Sequence, residues 1–364
     1  MRDMHRTDGR ANGGAGGGTA AGRGARPDDK PFYELSRWAT KVPQEERTLI
    51  STAYRDKVEE DLKFVENVPG VPKPDPILVA DGVTRRFGGM TAVDVRHFEL
   101  ERHGVTALIG PNGAGKTTFF NLLTGFDAPN TGTWRFDGHD LGRVRPEQVA
   151  RMGMVRTFQL TKVMSRLSVL DNMLLGAPDQ PGEGMFRALF PFTWRRREKA
   201  NIEKAEALLE RFLLIKKKDD LAGSLSGGQR KLLEMARALM RDPQLVMLDE
   251  PMAGVNPALK QSLLDHILAL REEGTTVLFV EHDITMVRHI ADWVVVMAEG
   301  RIVAEGRPKE VMRDPSVIDA YLGARADIDL GDDAALGRLE AADGAAATDG
   351  MTETGGASAG REAR

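Results

Sequence analysis

The run Gly110-Pro111-Asn112-Gly113-Ala114-Gly115-Lys116-Thr117-Thr118 has the spacing G-x-x-x-x-G-K-[ST] of a phosphate-holding loop. Its glycines let successive backbone N–H groups curl around an anion, and a helix beginning at the loop adds the partial positive charge of its N-terminus. Lys116 can then reach the β- and γ-phosphates of a nucleotide, and Thr117 can ligate Mg²⁺. Groups farther along suit the same chemistry. Asp249 ends an apolar run and can position Mg²⁺, directly or through water. Glu250 points the other way and can orient or deprotonate a water for attack on the γ-phosphate. Taken alone, Glu250 reads equally well as the start of a turn. His282, after the next apolar run, can donate a hydrogen bond to a γ-phosphate, although a lone histidine in such a place is more often structural. Gln159 can offer a carbonyl oxygen to Mg²⁺ while marking a hinge. In Leu225-Ser226-Gly227-Gly228-Gln229, Ser226 suits the N-cap of a helix from Gly227 to about Met240, with bare N–H groups in its first turn. The first loop already serves the phosphates in this chain, so a second anion site makes sense for a nucleotide held by another subunit.

These groups need strands and helices to hold them. Gly104 to Ile109 is short, apolar and β-branched, a buried strand leading into the loop. Phe119 to Leu123 reads as an amphipathic helix ended near Gly125. Upstream the pattern is mostly β, at Ile77–Val79 and Val93–Leu100. Downstream follow a strand at Thr133–Phe136 with a turn at Asp137-Gly138, a short helix from Pro146 to Met152, and a strand end at Met154–Phe158. From about Leu160 to Leu225 the pattern turns helical. One helix opens at Ser168, and a strongly amphipathic one runs from Arg197 to Leu214. Between them Gly182 to Trp194 reads as a loop carrying Phe186, Phe190, Phe192 and Trp194. Then come a strand at Leu245–Leu248, a helix from Pro257 to Glu273, a strand from Thr275 to Val280, and a hairpin of Trp293–Met297 and Arg301–Glu305 turning at Glu299-Gly300. Strands alternating with helices predict an α/β fold with a predominantly parallel sheet and a helical insertion.

Of the 364 residues, 41% are hydrophobic and 29% charged, as in a soluble globular protein. A formal net charge of -4 gives no electrostatic basis for a nucleic-acid partner. The absence of cysteine excludes disulfides and thiolate metal sites. No apolar run approaches the ~20 residues of a membrane-spanning helix, so work at a membrane would go through a partner. Segments 1–30 and 324–364 are Gly/Ala-rich with little to bury, and disorder is expected there. Segment 31–76 differs. Ile50, Tyr54, Val58, Leu62 and Val65 recur at helical spacing, Pro43 suits a first helical turn, and Pro69 to Pro74 make a stiff linker. That apolar stripe must bury against something. The chain's own main domain, 77–323, is the first choice; a partner or a self-paired helix is the other.

The motifs, taken in order, resemble the ATP-binding subunits of ABC transporters across about residues 77 to 323. They are the phosphate loop Gly110–Thr118, the glutamine loop at Gln159, the signature Leu225–Gln229, the pair in Leu248-Asp249-Glu250-Pro251, and the switch histidine His282. The resemblance implies a P-loop NTPase of ABC type, with an antiparallel β subdomain beside the parallel core and a helical subdomain at about 160–240. It also implies ATP and Mg²⁺ as ligands. Phe87 matches the place where the family stacks an aromatic ring on adenine; the family usually has tyrosine there, and a core phenylalanine is the other reading. Glu250, His282 and Lys116 would carry catalysis, and Thr117, Gln159 and Asp249 the metal. Ser226, Gly227, Gly228 and Gln229 would touch the nucleotide of the other subunit.

Finer likeness points to the importers of branched-chain and other hydrophobic amino acids. It lies in Arg85-Arg86-Phe87-Gly88-Gly89, Asn121 to Phe126, Val155 to Gln159, Ala253-Gly254-Val255-Asn256-Pro257 and Ala320-Tyr321-Leu322-Gly323. The long N-terminal segment and the acidic Gly/Ala-rich tail depart from that branch. The resemblance implies an ATPase at the cytoplasmic face of a membrane, held there by permease subunits and paired with an identical or homologous ATPase. A solute-binding protein outside the membrane would be an indirect partner. Rival readings are a lipopolysaccharide-type export ATPase, a non-transport ABC protein of ribosomes or DNA, and a nucleotide-binding regulator without turnover.

Overall fold

The computed structural model describes residues 44–142, 144–157, 163–178 and 191–317. Pro43, Gln159, the aromatic stretch up to Phe190 and the two Gly/Ala-rich ends lie outside the described residues.

The described chain opens with helix α1 (Gln44–Leu62) and a proline-rich linker. Strands β1 (Pro76–Phe87) and β2 (Met90–Glu101) form a long antiparallel hairpin, followed by β3 (Val105–Ile109) and helix α2 (Lys116–Leu123). Next come β4 (Thr131–Phe136), β5 (His139–Asp140), α3 (Pro146–Arg151) and β6 (Met154–Arg156). Helices α4 (Val169–Leu174), α5 (Pro191–Arg211) and α6 (Gly227–Leu239) supply the helical region. The alternation resumes with β7 (Leu245–Asp249), α7 (Pro257–Glu272), β8 (Thr276–Val280) and α8 (Ile284–Ile290). Strands β9 (Trp293–Ala298) and β10 (Arg301–Gly306) and the short α9 (Pro308–Val311) close it.

Among the described residues two sheets result, one of order β2-β1-β4-β5, the other of order β10-β9-β3-β8-β7-β6. The second is parallel except for its antiparallel edge strand β10. Every residue of β3, β7 and β8 is buried, which is why these strands read as continuous apolar runs rather than alternating ones. Their side chains still alternate in direction. Val105, Ala107 and Ile109 enter one apolar cluster with α4 to α8, whereas Leu108 enters another with α2 and the antiparallel sheet. The molecule is therefore layered: antiparallel sheet and α2, parallel sheet, then helices.

Where its side chains are described, the apolar stripe of α1 buries on the chain's own domain; that of Ile50 lies outside the described residues. Val58 and Leu62 join the cluster that holds Phe98, Phe119 and Phe120, and the Tyr54 ring lies 4.6 Å from that of His103. Arg307 donates to the terminal carbonyls of α1 at Leu62 and Lys63, a favourable place for a cation. The linker is tied down by Lys73, which lies 3.5 Å from Glu305 with both side chains about 1% exposed. The Lys73 ammonium sits 4.7 Å over the Trp293 ring, and Glu305 also accepts from Val71 N and Trp293 Nε1. Burial pushes the Lys73 ammonium pKa down, against the pull of Glu305.

Some sequence expectations are corrected. The loop read from Gly182 to Trp194 gives way to α5 at Pro191, because proline suits a first helical turn and the Arg/Glu/Lys run behind it propagates the helix. β1 extends to Phe87 rather than stopping at Val79, since β4 pairs with it as far as Thr84 and β2 as far as Phe87. Helices α8 and α9 have too few residues to show a period.

Candidate functional site

The loop between β3 and α2 lies at the carboxyl end of the parallel strands, where α/β sheets bind ligands. Its fold depends on glycine at two positions. Gly110 and Gly115 have φ of +148° and +96°, and a Cβ at either would fall on a backbone oxygen, that of Met297 or of Ala92. Only a residue without a side chain lets the loop run this close to its neighbours. Gly115 is also the N-cap of α2 and brings no side chain to the first-turn N–H groups. Elsewhere Ser168, Ser226, Asn256 and Asp283 accept those bonds for their own helices. The N-terminus of α2 thus keeps its donors for an anion. Lys116 Nζ folds back on the loop, donating to the carbonyls of Gly110 (2.7 Å) and Pro111 (2.9 Å). Burial lowers its pKa, while the charges of Glu250 and Asp249 oppose that shift, so both carboxylates lie within electrostatic reach of the ammonium.

Asp249 ends β7, directly paired in register with Val280 at the end of β8. Its side chain is 3% exposed and its Oδ2 accepts from Arg156 at 2.7 Å; Arg156 also donates to Asn121 Oδ1 on α2 at 2.6 Å. Glu250 follows with φ of +46°, a left-handed turn that takes its side chain out of the strand's alternation. Its N–H donates to Val280 O and its carbonyl accepts from Lys231 Nζ. At the end of β8 the buried Glu281 takes N–H bonds from Met252 (3.0 Å) and His282 (3.3 Å), and burial raises its pKa. This fixes the loop after Glu250 to the segment bearing His282, whose side chain is 70% exposed.

Lys116, Thr117, Asp249, Glu250 and His282 therefore gather at one edge of the sheet. Ser226 does not join them. It caps α6 reciprocally with Gln229, and α6 belongs to the helical layer on the other side of the parallel sheet from α2. Gly228 is buried against Leu259, while Ser226 and Gly227 face outward. Phe87 is 47% exposed, which removes the core reading, and the Arg85 guanidinium stacks 4.6 Å from its ring centre. Gln159 lies outside the described residues. The sequence reading gave no role in the site to Arg156, Asn121 or Glu281. The partners of Arg156 lie 35 and 93 residues away in the chain, and no local pattern announces them.

The donor set suits a hard cation carried by a polyphosphate. Thr117 offers a hydroxyl and Asp249 a carboxylate, and among the described residues no group of His, Cys, Asp and Glu could hold a metal by itself. Mg²⁺ bound mainly by phosphate oxygens needs only this much from the protein.

Comparison with known proteins agrees. A family model described as "ABC transporter" matches residues 93–253, and one described as "Branched-chain amino acid ATP-binding cassette transporter" matches residues 301–327. The probable branched-chain amino acid transport ATP-binding protein LivG of Archaeoglobus fulgidus is 39% identical over 249 residues, covering 68% of this chain and 96% of its own length. The high-affinity LivG of Escherichia coli K12 is 39% identical over 250 residues, with 68% and 98% covered. The crystal structure of the ADP conformation of MJ1267, an ATP-binding cassette of an ABC transporter, superposes with a TM-score of 0.60 at 38% identity, covering 68% of this chain and 99% of that one. Among the described residues no helix is long and apolar enough to cross a membrane. The phosphate loop, the acidic strand end and these matches place the chain in one family: it belongs to the ABC transporter ATPases, among the ATP-binding proteins of the branched-chain amino acid branch.

Proposed function

We propose that this ATPase drives import of branched-chain or other hydrophobic amino acids through a separate membrane permease, at whose cytoplasmic face it sits. The named relatives support this reading over a lipopolysaccharide exporter or a non-transport ATPase. The single observation that carries the chemistry is the convergence of Lys116, Asp249 and Glu250 at the end of the parallel sheet.

In this reading the loop N–H groups of Gly110 to Thr118 and the Lys116 ammonium hold the β- and γ-phosphates, and Phe87 stacks on adenine. Thr117, Asp249 and Gln159 would be the oxygen donors toward Mg²⁺, which would supply neutralisation of phosphate charge. Glu250 orients a water and takes its proton as oxygen attacks the γ-phosphorus and ADP leaves. His282, whose side chain is 70% exposed, donates a hydrogen bond to the γ-phosphate. Ser226, Gly227, Gly228 and Gln229 serve the nucleotide of a second ATPase subunit, identical or homologous. What supports this is the placement of α2 and α6 on opposite sides of the sheet. Head-to-tail closure on two ATP molecules then pulls on the permease, which receives its solute from an external binding protein, and hydrolysis resets the pair.

The test is Glu250→Gln, which keeps the shape but cannot take the proton. ATP binding should persist, turnover should fall ~10²–10⁴-fold, and an ATP-closed dimer should accumulate on size exclusion. Near-normal turnover would remove Glu250 from the role of base.

A further inference from the structure

The Asp249 carboxylate is not held by its own strand alone. We propose that Arg156 is a positioning residue for Asp249, presenting that carboxylate to nucleotide-bound Mg²⁺ by bracing it against the helix that follows the phosphate loop. The inference rests on the reading of Asp249 as the Mg²⁺-positioning carboxylate.

The geometry is specific. One guanidinium nitrogen donates to Asp249 Oδ2 at 2.7 Å, another to Asn121 Oδ1 at 2.6 Å, and the guanidinium carbon lies 5.5 Å from the Phe120 ring centre. The Arg156 and Asp249 side chains are 5% and 3% exposed. A planar guanidinium can make both bonds from fixed directions, which the point charge of a lysine cannot. The brace thus joins β6, which leads to Gln159, with β7, which carries Asp249, and α2, which carries Thr117. Asp249 and Thr117, two of the oxygen donors proposed for the metal, hang on elements tied by this one side chain.

A carboxylate this buried with one oxygen fixed has lost the freedom that would otherwise blur its aim. The guanidinium beside it offsets part of its charge, which favours a cation that arrives with phosphates over a bare one. Outer partners of this kind commonly set metal affinity by ~10–100-fold.

The experiment compares the affinity of full-length protein for a fluorescent ATP analogue in MgCl₂ and in EDTA. For Arg156→Met the EDTA affinity should stay within about twofold of wild type, and the gain conferred by Mg²⁺ should shrink ~10–100-fold. Arg156→Lys should restore only part of that gain. An unchanged Mg²⁺ gain in Arg156→Met would make the brace merely structural. A larger gain would make Arg156 a competitor of the metal, and either result overturns the proposal. Should Arg156→Met fail to fold, Asn121→Ala keeps the charge and removes one tether. Its Mg²⁺ gain should fall severalfold, and no change would again be fatal. Asp249→Asn, measured alongside, separates the two claims. If it keeps the full gain, the reading of Asp249 fails and takes the proposal with it. If it loses the gain while Arg156→Met keeps it, the proposal alone fails.

Discussion

Lys73→Met breaks the buried tie between the proline-rich linker and the edge of the parallel sheet. Removing the ammonium leaves Glu305, about 1% exposed, without its cation. Breaking a buried pair on one side costs ~3–5 kcal/mol. Here the low end applies, because Glu305 keeps the N–H bonds from Val71 and Trp293 Nε1, and methionine keeps the apolar stem against the indole. A loss of ~3 kcal/mol lowers the melting temperature of a domain of this size by roughly 6–12 °C. Glu305→Gln added to Lys73→Met removes the stranded charge and should recover a large part of the loss. Thermal denaturation of the full chain, followed by circular dichroism, reads both variants. A Lys73→Met protein melting within about 2 °C of wild type would refute the cost assigned to the pair. A double variant melting below the single one would refute the assignment of that cost to Glu305.

Deleting residues 1–30 should leave the melting temperature unchanged, whereas deleting 1–74 should lower it strongly. The longer cut removes Val58 and Leu62, each worth ~1.5–3 kcal/mol of burial, along with Lys73. Equal melting of the two truncations would mean that α1 adds nothing to the domain. His266 of α7, packed on Phe212, has its pKa lowered from 6.5 to about 4 by burial and by Arg211, with Asp265 opposing. The folded state therefore binds fewer protons than the unfolded one, and stability falls as pH drops through that window, by on the order of 1 kcal/mol once screening at the partly exposed ring is allowed for. His266→Gln should flatten that part of the profile in urea unfolding from pH 7 to 4, and an unchanged slope would count against it.

What could be read from the sequence was what is local. The strand at Val105–Ile109, the loop and α2 were legible because a fully buried strand, a glycine pattern and a helical period follow one another. The Asp249-Glu250 turn and the Ser226 cap were legible for the same reason. The polar Arg85-Arg86 hid the far end of β1, which its hairpin partner β2 holds as far as Phe87. The brace at Arg156 and the clamp at Lys73 were not legible. Each joins residues far apart in sequence, 93 positions for Arg156 and Asp249 and 232 for Lys73 and Glu305, and exists only once the sheet has formed. The stripe of α1 announced that it must be buried, but only the fold identifies Gly104, His103 and Gly274 as its neighbours.

The central claim is that each ATP is held by Lys116 of one chain and by Ser226 and Gly228 of another. It is tested most directly by measuring ATP affinity beside ATPase rate for Lys116→Ala and Ser226→Arg. Lys116→Ala should weaken binding to the single subunit. Ser226→Arg should bind ATP as the wild type does, yet fail to close and turn over, because on this claim the arginine would fill a surface reserved for the partner's nucleotide. Loss of ATP binding by the Ser226→Arg monomer as complete as that of Lys116→Ala would contradict the shared site.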